Sequence, residues 1–399
     1  MKTKTTILAT LVATVVIGCG GGMLLTLDGK PPLILGHRGL PGYYPEEVIE
    51  GYKAAIAAGA DALECDIMSS SDHVLFVSHN PWLADTTDVA SHPEFASRAR
   101  PWTDLAHATL DGLSGADGAG NANPDWYISD FTAAELKTLR TKQPDPSERG
   151  TKYDGLYPMA TLQEVFDLAK TTTAANPKRK IYVYPETKNP IYQRNLGVPI
   201  EEIYVSMIKA AGWNHKNSPL FVQSFDPASL RLMRDLGLKA KTVQLIDGDD
   251  YDWKTGLVTY GDVSTARPYS WTLASDPRNF DVMVTPAGLA EIKTYADGIG
   301  PWKYYVMAPK GVANPDGTRK DLNGDGKFDQ RDAYVTPTKL VTEAHNAGLF
   351  VHTFTMRNEA RRLTATYNGD PKAEYKAHFE LGVDDVFTDF SYNARPALT

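Results

Sequence analysis

The sequence predicts an α/β fold, a TIM (β/α)8 barrel with inserted loops or subdomains over its C-terminal face. Short apolar runs rich in β-branched residues alternate with amphipathic stretches, which is typical of the βα units of a parallel sheet. About eight such runs occur, the number that closes a barrel, and an open doubly wound sheet is the alternative. Two long stretches, 80–160 and 247–332, match no βα unit and are rich in Pro, Gly and Asp. Insertions of this kind usually form loops over the active-site face of a barrel.

The predicted strands are short apolar runs at Leu33–Leu35, Ala62–Ile67, Val74–Ser78, Ile181–Pro185, Leu220–Ser224, Lys241–Ile246, Phe350–Thr355 and Asp385–Thr388. The predicted helices between them lie at Glu46–Ala58, Thr132–Arg140, Leu162–Lys170, Ile200–Ala211, Pro227–Asp235 and Pro337–Asn346. Some have clear start signals, such as Asp226 before Pro227, and Thr132 three residues before Glu135. The connection from Ile67 to Val74 is too short for a crossover helix, so this pair of strands is irregular.

Residues 1–30 are predicted to be a leader and linker, and residues 31–399 to form the barrel. Two lysines precede the apolar stretch Ile7–Ile17, which is short for a membrane span but typical of a secretory signal. Val16-Ile17-Gly18-Cys19 resembles a bacterial lipoprotein cleavage box, in which Cys19 would be lipidated; a plain signal peptide cut nearby is the alternative. Both predict export to the periplasm or cell envelope, and the first adds a membrane tether.

The net charge narrows the class of partner, and the cysteine count limits the possible disulfides. The net charge of −8 argues against a nucleic-acid partner, because such proteins are usually basic. Around a phosphate substrate, an acidic protein needs local positive charge from a metal or from Arg and Lys side chains. The only cysteine besides Cys19 is Cys65, so no disulfide within the chain is expected once Cys19 is lipidated or removed.

Polar residues follow or end several predicted strands, where a barrel places its active site. His37 and Arg38 come directly after the first strand and would combine proton transfer with phosphate binding, unless they form an ordinary turn. Glu64 and Asp66 are two residues apart on a strand and therefore share one face. In an apolar segment, two carboxylates need compensation, for which a divalent cation is suited; Arg or Lys is the alternative.

Two further strand ends carry the same kind of chemistry. His79 closes the run at 74–78, and two His side chains near neutral pKa can share the base and acid tasks of phosphodiester hydrolysis. Glu186 and Lys188 share one face and would supply a third metal ligand and a phosphate contact, unless they are a surface pair. His352 lies in a predicted strand and is a candidate substrate contact.

In this order, the clusters resemble the glycerophosphodiester phosphodiesterase family. The resemblance covers roughly residues 31 to 395 and depends on Gly36-His37-Arg38-Gly39, Pro45-Glu46, Glu64-x-Asp66, His79 and Glu186-x-Lys188, followed by segments at 223–225, 298–301, 352–355 and 382–389. The insertion at about 80–160 is similar to that of the family's periplasmic branch. Three departures, at Glu47, Asn80 and Ala84-Asp85, stand beside the core motifs and bear on the substrate more than on the reaction.

The resemblance implies a role for each matching residue. Glu64, Asp66 and Glu186 would bind Ca²⁺ or Mg²⁺, and His37 and His79 would be the general acid/base pair. Arg38 and Lys188 would clamp the phosphate, and Glu46 would border the site.

The implied reaction is metal-dependent hydrolysis of a small glycerophosphodiester to sn-glycerol 3-phosphate and an alcohol. Two alternatives remain open at this point. One is a phospholipase-like or teichoic-acid phosphodiesterase on the same barrel. The other is a non-catalytic, Ca²⁺-stabilised binding lipoprotein.

A second metal site is predicted in an insertion at about 310–335. Residues 321–332 place ligands at the spacing of an EF-hand-type Ca²⁺ loop, with Gly326 at the sharp turn. The predicted ligands are Asp321, Asn323, Asp325, Lys327 through its backbone carbonyl, Asp329 and Asp332. With no paired second loop, the ion would be structural; a solvated Asp/Gly turn is the alternative.

Overall fold

Eight parallel strands close into a barrel in the computed structural model, which describes residues 26–101, 124–261 and 266–398. The strands of the described chain are β1 Leu33–Gly36, β2 Ala62–Ser69, β3 Leu75–Val77, β4 Tyr182–Thr187, β5 Phe221–Ser224, β6 Lys241–Ile246, β7 Asp250–Tyr251, β8 Val258–Thr259, β9 Gly298–Pro301, β10 Met307–Gly311, β11 Ala333–Pro337, β12 Phe350–Met356 and β13 Asp385–Thr388. The barrel order is β1-β13-β12-β9-β6-β5-β4-β2, and β1 also pairs with β2, which closes the ring. The predicted barrel is confirmed.

Two details of the strand prediction were wrong. The run at 74–78 is not a barrel strand: β3 pairs antiparallel with β2 as a hairpin outside the ring. The eighth barrel strand is instead β9, which has glycines at two of its four positions and so lacks the β-branched pattern of a strand. Gly298 is required, because a Cβ there would collide with the Phe350 ring, whereas a Cβ on Gly300 would meet only the end of the Leu245 side chain, which would have to move.

The helices pack around the outside of the ring and in the loops. They lie at Ile49–Ala57, Ala133–Leu136, Pro146–Arg149, Leu162–Ala175, Pro190–Asn195, Ile200–Ala210, Pro227–Asp235, Tyr269–Leu273, Pro286–Ile292, Lys303–Val306, Leu340–Asn346, Pro371–Glu380 and Ser391–Ala394. The predicted caps are confirmed: Asp226 accepts from the Ala228 N–H, and Thr132 and Glu135 form a capping box. In the described part of the chain, no helix is long and apolar enough to cross a membrane.

The three largest apolar clusters of the described residues form the layers. The largest lies between barrel and helices, and an inner cluster of mainly aromatic side chains, including Tyr184, Phe221 and Phe350, fills the barrel. The third belongs to the insertion at 80–160, whose described residues pack around Phe76 and Phe131. The insertion also reaches the first loop of the barrel, because Gln143 Nε2 donates to the carbonyls of Pro41 and Tyr44.

The chain enters the barrel at the end where the strands begin. Leu27 N donates to Asp384 Oδ1 at 2.6 Å, and Asp384 immediately precedes β13. The predicted leader and Cys19 lie outside the described residues, except for the last few linker positions. The segment with the predicted Ca²⁺ loop lies between β10 and β11, which pair as an antiparallel hairpin.

Candidate active site

Three carboxylates meet at the carboxyl ends of neighbouring barrel strands. Glu64 and Asp66 stand on β2, Glu186 stands on β4, and the strand register places Asp66 opposite Glu186. All three are buried, and one oxygen of each lies within 4.8 Å of the others. Burial and the charge of Asp66 raise the pKa of Glu64 well above its usual value, and burial raises that of Glu186 to about 8.

Three clustered carboxylates offer the oxygen ligands that a hard divalent cation prefers. Asp66 Oδ2 accepts no hydrogen bond from a described residue, and its only close cation is the Arg38 guanidinium, so this oxygen can still turn to a ligand. Gln223, on β5, donates to Glu64 Oε1 at 3.0 Å and orients that carboxylate. The residues present therefore fit a cation held by Glu64, Asp66 and Glu186.

Two cations flank the carboxylates. Arg38 N donates to Glu64 Oε2 at 2.8 Å, and its guanidinium lies 3.1 Å from both Glu46 Oε2 and Asp66 Oδ2. Lys188 Nζ lies 3.0 Å from Glu186 Oε1 and 3.6 Å from Asp66 Oδ1. Burial works against both charges, but the carboxylates outweigh it and raise the pKa of each side chain. Both side chains are therefore positively charged and lie beside the three carboxylates.

His37 is held by a carboxylate at the end of the last barrel strand. Its Nδ1 pairs at 2.6 Å with Oδ1 of Asp389, the residue that directly follows β13. Burial lowers the pKa of His37, and Asp389 opposes that effect. Arg149 and Arg357 contact the second oxygen of Asp389, at 2.5 and 3.1 Å.

His79 is oriented by its neighbour in the chain. Its Nδ1 pairs with Asn80 Oδ1 at 2.7 Å, so Asn80 fills the orienting position where the family often has Asp. Burial, Arg38 and Lys188 lower the pKa of His79 well below its usual value. No described residue hydrogen-bonds Nε2 of either histidine, so that atom of each ring is left for proton transfer.

The geometry can be compared with known proteins. The glycerophosphoryl diester phosphodiesterase family matches residues 37–392, which include all the side chains described above.

The chain belongs to this family. A glycerophosphodiester phosphodiesterase of Arabidopsis thaliana is 33% identical over 92% of this chain and 85% of its own length. One from Haemophilus influenzae is 28% identical over 98% of this chain and 97% of its own. The fold of an Oleispira antarctica phosphodiesterase, solved with the product sn-glycerol-3-phosphate, is similar with a TM-score of 0.52 at 14% identity, covering 94% of this chain and 99% of that one.

As a member of the glycerophosphoryl diester phosphodiesterase family, the protein is a phosphoric diester hydrolase. The structure brings together the predicted residues His37, Arg38, Glu46, Glu64, Asp66, His79, Glu186 and Lys188 through the contacts described above.

His352 is the exception among the predicted site residues of the barrel. It stands three residues into β12, not at its carboxyl end, so its ring lies in the inner aromatic cluster. There its Nδ1 pairs with Tyr184 OH at 2.8 Å and its ring stacks on Phe350. Because packing fills this layer of the barrel, the structure places His352 in the core and not among the polar residues of the site.

Sequence reasoning missed several residues of the candidate site. Asp389 and Gln223 stood in segments that resemble the family, but nothing in sequence joined them to His37 and Glu64. Glu47 is also buried, has φ +61, and accepts from Tyr52 OH and from Asp66 N. The only signal for Glu47 was its departure from the family pattern.

The loop at 321–332 forms tight turns, but its acidic side chains do not converge on a common point. Gly324 and Gly326 have φ near +76 and +75, and both donate to Asp321. Arg331 pairs with Asp325 and Asp329, at 2.5 and 2.6 Å. Within the described ranges, the sole group of three acidic, His or Cys side chains that could hold an ion is Glu64, Asp66 and Glu186.

Proposed function

We propose that the protein hydrolyses glycerophosphodiesters to sn-glycerol 3-phosphate and an alcohol in a metal-dependent reaction. The observation that carries the proposal is the convergence of three buried carboxylates with Arg38 and Lys188 at one end of the barrel. Family membership and the product bound to the Oleispira antarctica phosphodiesterase support the choice of substrate.

Glu64, Asp66 and Glu186 would hold Ca²⁺ or Mg²⁺ in this proposal. The bound cation would screen the phosphate charge and polarise a non-bridging oxygen. Arg38 and Lys188 bind phosphate oxygens from two sides and fix the orientation of the diester.

The two histidines divide the proton transfers. His79 faces Arg38 and Lys188, which disfavour its protonated form, so it is suited to accept a proton at Nε2 from the attacking hydroxyl. Asp389 stabilises the imidazolium form of His37 against the effect of burial, so the protonated ring is suited to deliver a proton from Nε2 to the leaving alkoxide. The nucleophile is water or the substrate's own adjacent hydroxyl.

Release of glycerol 3-phosphate from glycerophosphocholine and glycerophosphoethanolamine tests the proposal. The assay compares Ca²⁺, Mg²⁺ and EDTA, and the variants His37→Ala and Glu64→Gln. We expect turnover only with metal, and losses of about 100-fold or more in kcat in both variants. His215→Ala is the matched control, because that histidine is exposed, and it should keep wild-type activity.

Other outcomes would contradict the proposal in different ways. A wild type that is inert on these diesters but cleaves a phospholipid or a teichoic acid would keep the chemistry and change the substrate. Absence of any phosphodiesterase activity would favour the binding-lipoprotein alternative.

We propose that residues 321–332 bind a structural Ca²⁺. The spacing of Asp321, Asn323, Asp325, Asp329 and Asp332 supports the proposal, and binding would require Arg331 to release two of these carboxylates. Ca²⁺ should raise the Tm of Glu64→Gln but not of the double variant Glu64→Gln/Asp321→Asn. An equal rise in both would place the ion elsewhere.

We propose that the protein is exported and lipidated at Cys19. The cleavage-box sequence at 16–19 supports this. Mass spectrometry of the protein purified from a bacterial envelope should find a diacylglyceryl-modified Cys19 at the new N-terminus. A soluble product cut at another position would contradict lipidation but not export.

A further inference from the structure

The loops that lead into three adjacent barrel strands are rich in Lys and Arg. They lie at 176–181 before β4, at 211–220 before β5 and at 236–240 before β6. These strands neighbour one another in the ring. Because the barrel strands are parallel, the loops before them meet at the amino end of the barrel, opposite the candidate active site.

These loops carry an excess of positive charge in a chain whose net charge is −8. Together with the first residue of β6, they contain no Asp or Glu and form a surface, the basic face, made up of Lys178, Arg179, Lys180, Lys216, Lys239 and Lys241. Asp235, which ends the helix before β6, is exposed beside them and offsets one charge. The carboxylates just before other barrel strands have partners: Asp28 pairs with Lys30, Asp61 with Arg395, Asp297 with Arg234 and Asp384 with His345.

Hydrogen bonds join the three loops of the basic face into one surface. Lys180 Nζ donates to the Asn217 carbonyl at 2.8 Å, which links the loop before β4 to the loop before β5. Lys239 N donates to Asn214 Oδ1 at 2.6 Å, and Asn214 Nδ2 donates to the Gly237 carbonyl at 3.0 Å. These bonds link the loops before β5 and β6, so the backbone that carries the cations is held together.

The cations of the basic face are close enough to repel one another. Burial and the charge of Lys241 lower the pKa of Lys180. The side chains of Lys178, Lys216 and Lys239 are exposed, and their ammonium groups form no hydrogen bond or ion pair with a described residue. The basic face therefore attracts an anionic partner.

The chain enters the barrel at the same end as the basic face. Residues 27–33 join the ring where the strands begin. Burial raises the pKa of Asp28, but the hydrogen bonds and charge of Lys30 and the charge of Lys241 lower it overall, so the entering chain lies within electrostatic range of the basic face. A lipid on Cys19, as proposed above, would hold this end of the barrel near the headgroups of a bilayer. The entry point of the chain therefore favours a bilayer over other anionic partners.

We propose that the basic face binds the anionic headgroups of a phospholipid bilayer. A lipid anchor alone restrains only the end of the linker, whereas the charges of the basic face would also fix the orientation of the barrel. The rest of this acidic chain is repelled by the same headgroups, so the basic face is the side that approaches them. The inference does not depend on the proposed hydrolysis.

Sedimentation of the full chain with lipid vesicles tests this binding. Cys19→Ala is present in every protein so that no lipid anchor contributes, and the vesicles contain phosphatidylcholine alone or with phosphatidylglycerol. We expect tighter binding to the vesicles with phosphatidylglycerol, and loss of this preference at high salt. The triple variant Lys178→Gln/Lys216→Gln/Lys239→Gln should bind these anionic vesicles about 10- to 100-fold more weakly at low salt.

A matched triple variant removes the same number of charges elsewhere. Lys254→Gln/Lys310→Gln/Lys320→Gln changes exposed lysines of the insertion at 247–332, which follows the carboxyl ends of β6 and β9, and it should bind like the parent protein. The apolar stretch at 7–17 is the same in all these proteins, so a difference between them reports the substituted charges.

Three results would overturn the proposal. The first is equal binding of the parent protein to both kinds of vesicle. The second is equal binding of the two triple variants to the anionic vesicles, which would assign the effect to net charge or to neither set of lysines. The third is binding to a second copy of the chain instead: sedimentation velocity at low salt would show dimers that only the variant of the basic face loses, without any preference for phosphatidylglycerol.

Discussion

At the residue scale, Asp389 determines how His37 is presented. One of its oxygens binds His37 Nδ1 and the other binds two arginines, one of them from the insertion. Such a carboxylate selects the imidazole tautomer and stabilises the protonated ring, as in hydrolases that use a His–Asp pair. Asp389 is a positioning residue, because its described contacts are with protein side chains and backbone.

Asp389→Asn should reduce kcat by about 100-fold or more, because the amide no longer stabilises the imidazolium. Metal affinity should change little, since Asp389 is not among the three clustered carboxylates. Steady-state kinetics with a parallel titration of Ca²⁺ checks both parts. A large loss of metal affinity with unchanged kcat at saturating metal would contradict this role.

Residues of the site were predictable from sequence where the motif is local. His37-Arg38, Glu64-x-Asp66 and Glu186-x-Lys188 follow or end apolar runs, so their common position follows from the barrel. The partners of these residues were not predictable in this way. Asp389 is 352 positions from His37, and only closure of the ring through β1 and β13 brings them together.

At the scale of single elements, β3 and β9 show where pattern reading fails. β3 has the apolar composition of a barrel strand because its side chains are buried between β2 and the insertion. β9 has the composition of a turn because the Phe350 ring leaves no room for a side chain at Gly298, and Leu245 crowds Gly300. The amino-acid composition of a strand depends on the space around it. In both elements, other parts of the chain determine that space.

Gly298→Val should lower the stability of the folded barrel by about 2 kcal/mol, because the new side chain collides with Phe350 in the inner cluster. Chemical denaturation followed by fluorescence measures the change. Co-substitution of Phe350 by Leu makes room and should recover part of the loss. If the double variant is no more stable than Gly298→Val, the collision is not the cause.

The insertion supplies one wall of the site as well as a cover. Thr86 and Thr141 line a small space beside His79, and Arg149 reaches Asp389 from the end of a short helix. The sequence predicted that the insertion lies over the active-site face, but not these contacts, because the insertion lacks the periodicity that would orient its side chains.

At the scale of the whole molecule, a buried histidine links stability to pH. His378 lies in helix Pro371–Glu380, its Nδ1 pairs with the Glu374 carbonyl, and burial lowers its pKa to about 4. In the unfolded chain the same residue titrates near 6.5. Between these values the unfolded state binds the proton and the folded state does not, so stability falls as pH decreases through this window.

This histidine should remove about 3 kcal/mol of stability between pH 7 and pH 4. In His378→Gln, the loss over the same range should be smaller by about that amount. Denaturant unfolding at several pH values measures the difference. Parallel curves for the two proteins would show that His378 does not cause the dependence.

The path of the chain into the barrel has a consequence for an anchored enzyme. Residues 27–33 join the ring where the strands begin, and the carboxylates gather where the strands end. A lipid on Cys19 would be joined to Thr26 by about seven residues, which span at most roughly 25 Å. In the anchored molecule, the amino ends of the barrel strands would then face the bilayer, and the carboxyl ends with the candidate active site would face away from it. Soluble diesters would reach an active site in this orientation, whereas a phospholipid embedded in the bilayer beneath the enzyme would not.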